Sequence, residues 1–430
     1  MKSWKAAGTM ERLFIALYLA GAAGLFANLL TSKAAGSDSG EGGSSTMFVV
    51  TWLVMYVIAL PLATFRFKRN VYARELIALC FCLLVLAGYF WSAMPGQTIR
   101  VGLSLTMNIL FAWYCSRRLS VLEFCSVLMW TLNVMVVIGT LLGLAGLPTA
   151  IYIDPLARAN LLGTPLIQGL FSHKIYAGYY ATIALVLNVT LLRGWRRYAL
   201  SGLMLIGVAL SGSSVGLAAA FIGLTAIFVI PRLRDPKSRV LGVSVGVFAV
   251  AGVTVFFQIL SEGVITALGR DATLTGRTDI WNYAIQFWSE KPLFGWAYGG
   301  IFGDSPSAPG QIVRPNAWYV APHFHDVYLQ VAAELGTIGL LAYLYFVLTA
   351  LLRTLGNAWA TGRRADLASG AILVTNYAVG IVMNIGLRYN ELSTLLLFFF
   401  FFAAPLARRS EVQSGRTRMH AAAPQTTVPT

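Results

Sequence analysis

Two short stretches of this chain concentrate the residues able to move protons or hold anions. The first reads TLTGRTDIWNYAIQFWSEKPLFGWAYGG and carries Arg277 next to Thr278 and Asp279, either of which can open a helix. Ile280, Ala284, Phe287 and Trp288 then fall on one apolar face, and Lys291-Pro292 ends the element. Arg277 therefore sits beside a helix N-terminus, where free backbone N–H groups and the helix dipole favour an anion. A guanidinium there can grip a phosphate through two parallel hydrogen bonds, and Arg270, seven residues upstream, can join it. The competing use of Arg277 is an ion pair with Asp271 or Asp279.

The second stretch reads HFHDVYLQVAAELGTIGLL. His325 opens a helix whose apolar face runs through Tyr328, Leu329, Ala332 and Leu335 before an apolar run begins near Gly336. The chain has four histidines, His173, His323, His325 and His420, and the last falls in a polar tail. Histidine titrates near neutrality, which suits proton transfer or hydrogen bonding to phosphate; its other use here is to cap a helix or face solvent. His323 and His325 are two residues apart, a poor spacing for one helical face, and no Cys or acidic residue stands at ligand spacing. No metal site or cofactor is expected. Nucleophile-elbow, P-loop and dinucleotide motifs are absent, and Asp271, Asp279, Asp304, Asp326 and Glu334 form no obvious acid–base pair.

The elements that must position these groups follow from composition. Of 430 residues 57% are hydrophobic and 11% charged, where a soluble domain carries about a quarter charged. Apolar runs near spanning length recur at roughly 13–32, 47–65, 75–93, 101–115, 121–146, 175–192, 197–211, 214–231, 240–260, 336–352, 367–386 and 393–407. These predict an all-α polytopic membrane protein of about twelve transmembrane helices. The joint at Ser211–Ser214 can be read either as a tight turn between two helices or as one irregular helix. With both termini placed inside, 23 of the 32 Lys and Arg fall on inward segments, as the positive-inside rule asks. The formal charge of +15 thus reads as topology rather than nucleic-acid binding. The first apolar run follows Lys2, Lys5 and Arg12 and is long enough to be a retained helix. Four scattered cysteines in or near apolar spans imply no disulfide framework.

The predicted division is 1–260 for nine helices with short loops and 261–324 for a large outward loop forming a partly helical cap. The remaining helices occupy 325–409, and 410–430 is a disordered cytoplasmic tail. Lys33, Arg100, Arg158, Lys174, Arg270, Arg277, Lys291, Arg314 and Arg388 break the charge rule, and all but Lys33 lie in outward loops or helix ends. Cations placed there against the topological bias suit an anionic ligand. The membrane interior is poor in ionisable residues, unlike that of a transporter for lipid-linked sugars or small solutes.

His325-Asp326, nine residues, Gly336, two residues and Gly339 resemble the signature of bacterial O-antigen ligases. Gly276, Arg277, Trp281, Pro292, Gly295 and Gly299 are similar to the wider O-antigen ligase and polymerase membrane family, as is Ser172-His173-Lys174 before the sixth span. The likeness runs over about residues 170–400. Two positions depart from it. The family has Asn, Ser or Gln where this chain has Asp326, and many members carry an arginine where this chain reads LSGSSVGL.

The resemblance implies an inverting, metal-independent glycosyltransferase of the Gram-negative inner membrane, its active site facing the periplasm. It would move O-antigen glycan from an undecaprenyl diphosphate-linked donor to lipid A–core. Arg277 and Arg270 would neutralise the diphosphate, with Lys174, Arg388, Arg158 and Arg314 as further candidates. His325 would act as general base or orient the diphosphate. Asp326, Tyr328 and His323 would support it or meet the acceptor. An O-antigen polymerase or a protein O-oligosaccharyltransferase would keep the same fold with another acceptor. The sequence does not specify an oligomeric state.

Overall fold

A computed structural model describes residues 7–31, 46–64, 72–153, 160, 163–233, 235, 238, 275–303, 308–313 and 323–403. Arg158, Arg270, Arg314 and the apolar run at 240–260 lie outside these residues, as does the tail.

Helices follow the other apolar runs: α1 (Thr9–Ala22), α2 (Leu25–Leu30), α3 (Thr46–Thr64), α4 (Ala73–Ala87), α5 (Pro95–Arg118), α6 (Val121–Leu144) and α7 (Lys174–Leu191). They continue as α8 (Gly194–Ser211), α9 (Ser214–Val229), α10 (Thr275–Glu290), α11 (Val327–Thr361), α12 (Arg364–Gly380) and α13 (Leu392–Ala403). A two-residue antiparallel ribbon, β1 (Ile151–Tyr152) with β2 (Leu166–Ile167), covers the approach to α7.

The first predicted span is two helices, broken where Gly24 takes φ 109°. The joint at Ser211–Ser214 is a true turn. Gly212 ends α8 in the left-handed region, and the Ser213 hydroxyl accepts the Gly216 N–H at 3.0 Å to start α9.

Burial sorts the helices into layers. Along α7 the run from Ala177 to Leu187 is buried without interruption, and in α13 every residue from Leu392 to Phe402 is buried. Helices apolar and covered all round form the centre, and α5, α6, α8, α9, α11 and α12 pack around them. Outer helices leave apolar rows uncovered, such as Val50, Leu53, Val54 and Val57 on α3 and Leu217, Phe221, Leu224 and Phe228 on α9. Rows of this kind would associate in water but match hydrocarbon. Four helical stretches are long and apolar enough to cross a membrane: Ala73–Phe90, Val121–Leu144, Ser214–Arg232 and Val327–Thr361. The chain is an all-α, multi-pass membrane protein.

The bundle has two chemically different ends. At one, the start of α1 meets the start of α6 and the end of α5 through ion pairs Arg12–Glu123 at 3.1 Å and Arg118–Glu11 at 2.6 Å. Arg117 of α5 pairs with Glu75 near the start of α4 at the same end. The opposite end holds the start of α5, the ribbon, the starts of α7 and α11, and the segment between α12 and α13.

Candidate active site

That second end is shaped by a break in α11. Gly336 interrupts the helix with φ 65° and ψ −169°. Two amides past the break bond outside the helix, Thr337 N–H to Pro292 O at 2.7 Å and Ile338 N–H to Leu293 O at 3.3 Å. Before the break, Ala333 O receives the Trp296 N–H at 3.0 Å. The segment Pro292–Trp296 thus completes the hydrogen bonding of the break, which exposed polar backbone in an apolar setting requires. Only glycine fits at two contacts. A Cβ on Gly336 would lie 2.3 Å from the Leu293 carbonyl, and one on Gly295 (φ 63°) 2.5 Å from the Glu334 carbonyl carbon. Pro292 and Gly295 of the first sequence stretch and Gly336 of the second are therefore one packed unit.

Helix α10 begins at Thr275, three residues before the predicted start, and ends before Lys291-Pro292. Its Ile280, Ala284 and Phe287 bury against Ile301, Phe302, Val313, Phe324 and Ala333. Trp288 is half-buried and donates to the Thr337 hydroxyl at 3.2 Å. Arg277 occupies the first turn of α10, at the helix N-terminus; its side chain is not among the described residues.

His325 precedes the cap of α11 with φ 55°, an unfavourable backbone region for a residue with a Cβ. Its N–H donates to His323 Nδ1 at 3.1 Å, and the two rings lie 4.2 Å apart, edge to face. Both are buried, so neither is a solvated helix-end histidine. Asp326 is the cap itself: its carboxylate accepts the Leu329 N–H at 2.8 Å. Asn and Ser cap helices in the same way, so this departure from the family pattern keeps the local function. Burial pushes the Asp326 carboxyl up to about 6, against the lowering effect of its backbone hydrogen bonds. Tyr328 donates to Tyr377 O at 3.3 Å and stacks obliquely near Tyr343.

A narrow, partly open cleft lies between α5, the 298–302 turn, α11 and the 384–389 segment. His323, Gln330, Glu334 and Arg388 line it, along with Gln97 and Asn384 and the rings of Tyr298, Phe302 and Tyr389. His323, not His325, is the histidine on its wall. Arg388 donates to the Tyr176 hydroxyl of α7 at 2.5 Å, and its backbone is clamped by Thr394, which accepts from Arg388 N–H and donates to Arg388 O. Beneath it, burial raises the Glu391 carboxyl while the Arg388 charge opposes that shift. Among the described residues, the non-glycine positions with positive φ are Ala297, His325 and Asn390. Each adjoins or nearly adjoins a cleft residue, and strain of this kind concentrates at functional sites.

Lys174, at the first position of α7, is buried with its ammonium 4.8 Å from the centre of the Tyr152 ring. His173 caps the same helix, its Nδ1 accepting the Ile175 N–H at 3.1 Å. Lys174 is thus at the cleft end of the bundle, on the helix that holds Arg388, but not on the cleft wall. The serines of LSGSSVGL close the α8–α9 turn. Among the described residues, no group of three His, Cys, Asp or Glu side chains converges as metal ligands do. Sequence reasoning missed Gln97, Tyr176, Gln330 and Glu391, and passed over Glu334. The available signal was Gln330 and Glu334 four apart on a helix otherwise apolar.

Residues 199–344 match the family described as O-antigen ligase. The matched stretch is about a third of the chain. That segment runs from α8 to the middle of α11 and includes Arg277, His325, Glu334 and the Gly295–Gly336 contact. The chain is also similar to the exopolysaccharide production protein ExoQ of Rhizobium meliloti (strain 1021), 25% identical over 319 residues that cover 70% of each chain. The two likenesses support a membrane enzyme of the ligase and polymerase class.

Proposed function

We propose that this protein is an O-antigen ligase: a glycosyltransferase that moves glycan from undecaprenyl diphosphate to lipid A–core at the periplasmic face of the inner membrane. The observation that carries the reading is the O-antigen ligase family segment, with His325 at the head of α11 and Arg277 in the first turn of α10. In the reaction the acceptor hydroxyl oxygen attacks the anomeric carbon of the glycan. The bond from that carbon to the diphosphate oxygen breaks, and undecaprenyl diphosphate leaves with the electron pair. Arg388, fixed in the cleft by Tyr176, neutralises the developing charge together with Arg277. Arg388 stands in for the arginine that many family members carry at the α8–α9 turn, where this chain has capping serines. The acceptor proton passes to the His325 imidazole as general base, while His323, whose Nδ1 accepts the His325 N–H, keeps its proton on Nε2 and faces the cleft as a hydrogen-bond donor.

A cell-free assay tests the reading. Purified protein, undecaprenyl diphosphate-linked glycan and lipid A–core are combined, with His325→Ala and Arg277→Ala run alongside. Glycan on lipid A–core, lost in both variants at equal protein level, is the expected result. A second reading has its own support in the exopolysaccharide relative: the acceptor is then another lipid-linked glycan, and chains lengthen on the carrier. Product size on the two acceptors separates the readings, and wild-type activity with Arg277→Ala removes that residue from the diphosphate site.

A further inference from the structure

The cleft is lined by side chains of both charge types, Arg388 and Glu334. Arg388 comes from the 384–389 segment, aimed by Tyr176; Glu334 comes from α11, 6% exposed and two residues before the helix break at Gly336. Gln330 sets the direction of the carboxylate. Its amide oxygen is taken by the Phe324 N–H at 2.9 Å, so its amide nitrogen donates to Glu334 Oε1 at 2.8 Å. The backbone contact at Gly295, whose position leaves no room for a Cβ against Glu334, fixes the main chain as well. A carboxylate held this way accepts hydrogen bonds and repels phosphate. Tyr298, Asn384 and Tyr389 line the same cleft, the last two from the segment that carries Arg388. Hydroxyl-accepting groups next to ring faces are the chemistry that holds a neutral sugar.

We propose that Glu334 binds a hydroxyl of the acceptor sugar, so that the cleft seats the acceptor saccharide on the α11 side and the donor's diphosphate on the Arg388 side. This rests on the glycosyltransferase reading. Gln330 is a positioning residue.

The test varies lipid A–core and undecaprenyl diphosphate-linked glycan separately in the transfer assay. Glu334→Gln is expected to raise the acceptor KM about tenfold or more, as loss of a charged hydrogen bond does, with donor KM unchanged. Gln330→Ala, which removes the amide that orients the Glu334 carboxylate, is expected to raise acceptor KM selectively and provides the same readout should Glu334→Gln fail to fold. Either variant raising donor KM alone, or leaving acceptor KM unchanged, overturns the subsite while leaving the glycosyltransferase reading intact. A wild-type protein that forms no glycosidic bond on either acceptor overturns that reading, and the subsite with it.

Discussion

Arg388 reaches the cleft with little freedom left to lose. Tyr176 holds its guanidinium and Thr394 clamps its backbone at both N–H and C=O. Such fixed cations stabilise developing charge without reorganising as the reaction proceeds. Arg388→Ala is expected to lower kcat by about a hundredfold or more, and Tyr176→Phe by about tenfold, since it frees the side chain without removing its charge. Steady-state transfer rates at saturating donor check both. Asp326 gives a pH prediction. Its carboxyl, pushed up to about 6, binds its proton more tightly folded than unfolded. Its contribution to stability is therefore fully present below the ordinary carboxylate range and is lost as pH rises through about 6. Asp326→Asn keeps a cap and removes the titration. The variant is expected to melt higher than wild type at pH 7 and to lose the slope between about pH 4 and 6, read by thermal unfolding in detergent; equal slopes would refute the assignment. Histidines and arginines announced themselves by chemical type in the sequence. Glu334 and Tyr176 did not, because their importance comes from partners in other segments.

At the scale of elements, apolar length placed helices well, since a run without charge near twenty residues has few other fates. The interruptions were harder to read. Gly24 sits inside an apolar run that looks continuous and Gly336 at the start of another, and what satisfies the Gly336 break is Pro292–Trp296, some forty residues upstream. No local pattern encodes a partner at that distance. The helix of 275–290 was legible because its apolar residues recur with helical period, although it starts three residues earlier than expected. Gly336→Ala tests the joint. Its Cβ would meet the Leu293 carbonyl at 2.3 Å with φ still positive, so the variant should lose well over about 1 kcal/mol. Lower yield and melting temperature, with activity falling in step, is the expected outcome; a fully stable and active Gly336→Ala protein would contradict the packing described.

For the molecule as a whole, the two ends differ in how they use charge. The ion-paired end fastens α1, α4, α5 and α6, and its Arg118–Glu11 pair is largely buried, with side-chain exposures of 8% and 11%. Glu11→Gln leaves an arginine there without its full counter-charge and is expected to destabilise by about 3 kcal/mol. Because the pair lies at the opposite end from the cleft, the surviving folded fraction should keep the wild-type KM for both substrates. Thermal melting and kinetics of the folded fraction decide this. At the other end, the segment between Pro292 and Trp296 has no regular secondary structure, yet three backbone bonds tie it to positions 333–338. Its length is consequently locked, as if it were a central strand. Adding or deleting one residue there would shift donors away from acceptors on both sides of the helix break, so tags, linkers and natural insertions should be excluded from this turn although it reads as an ordinary loop.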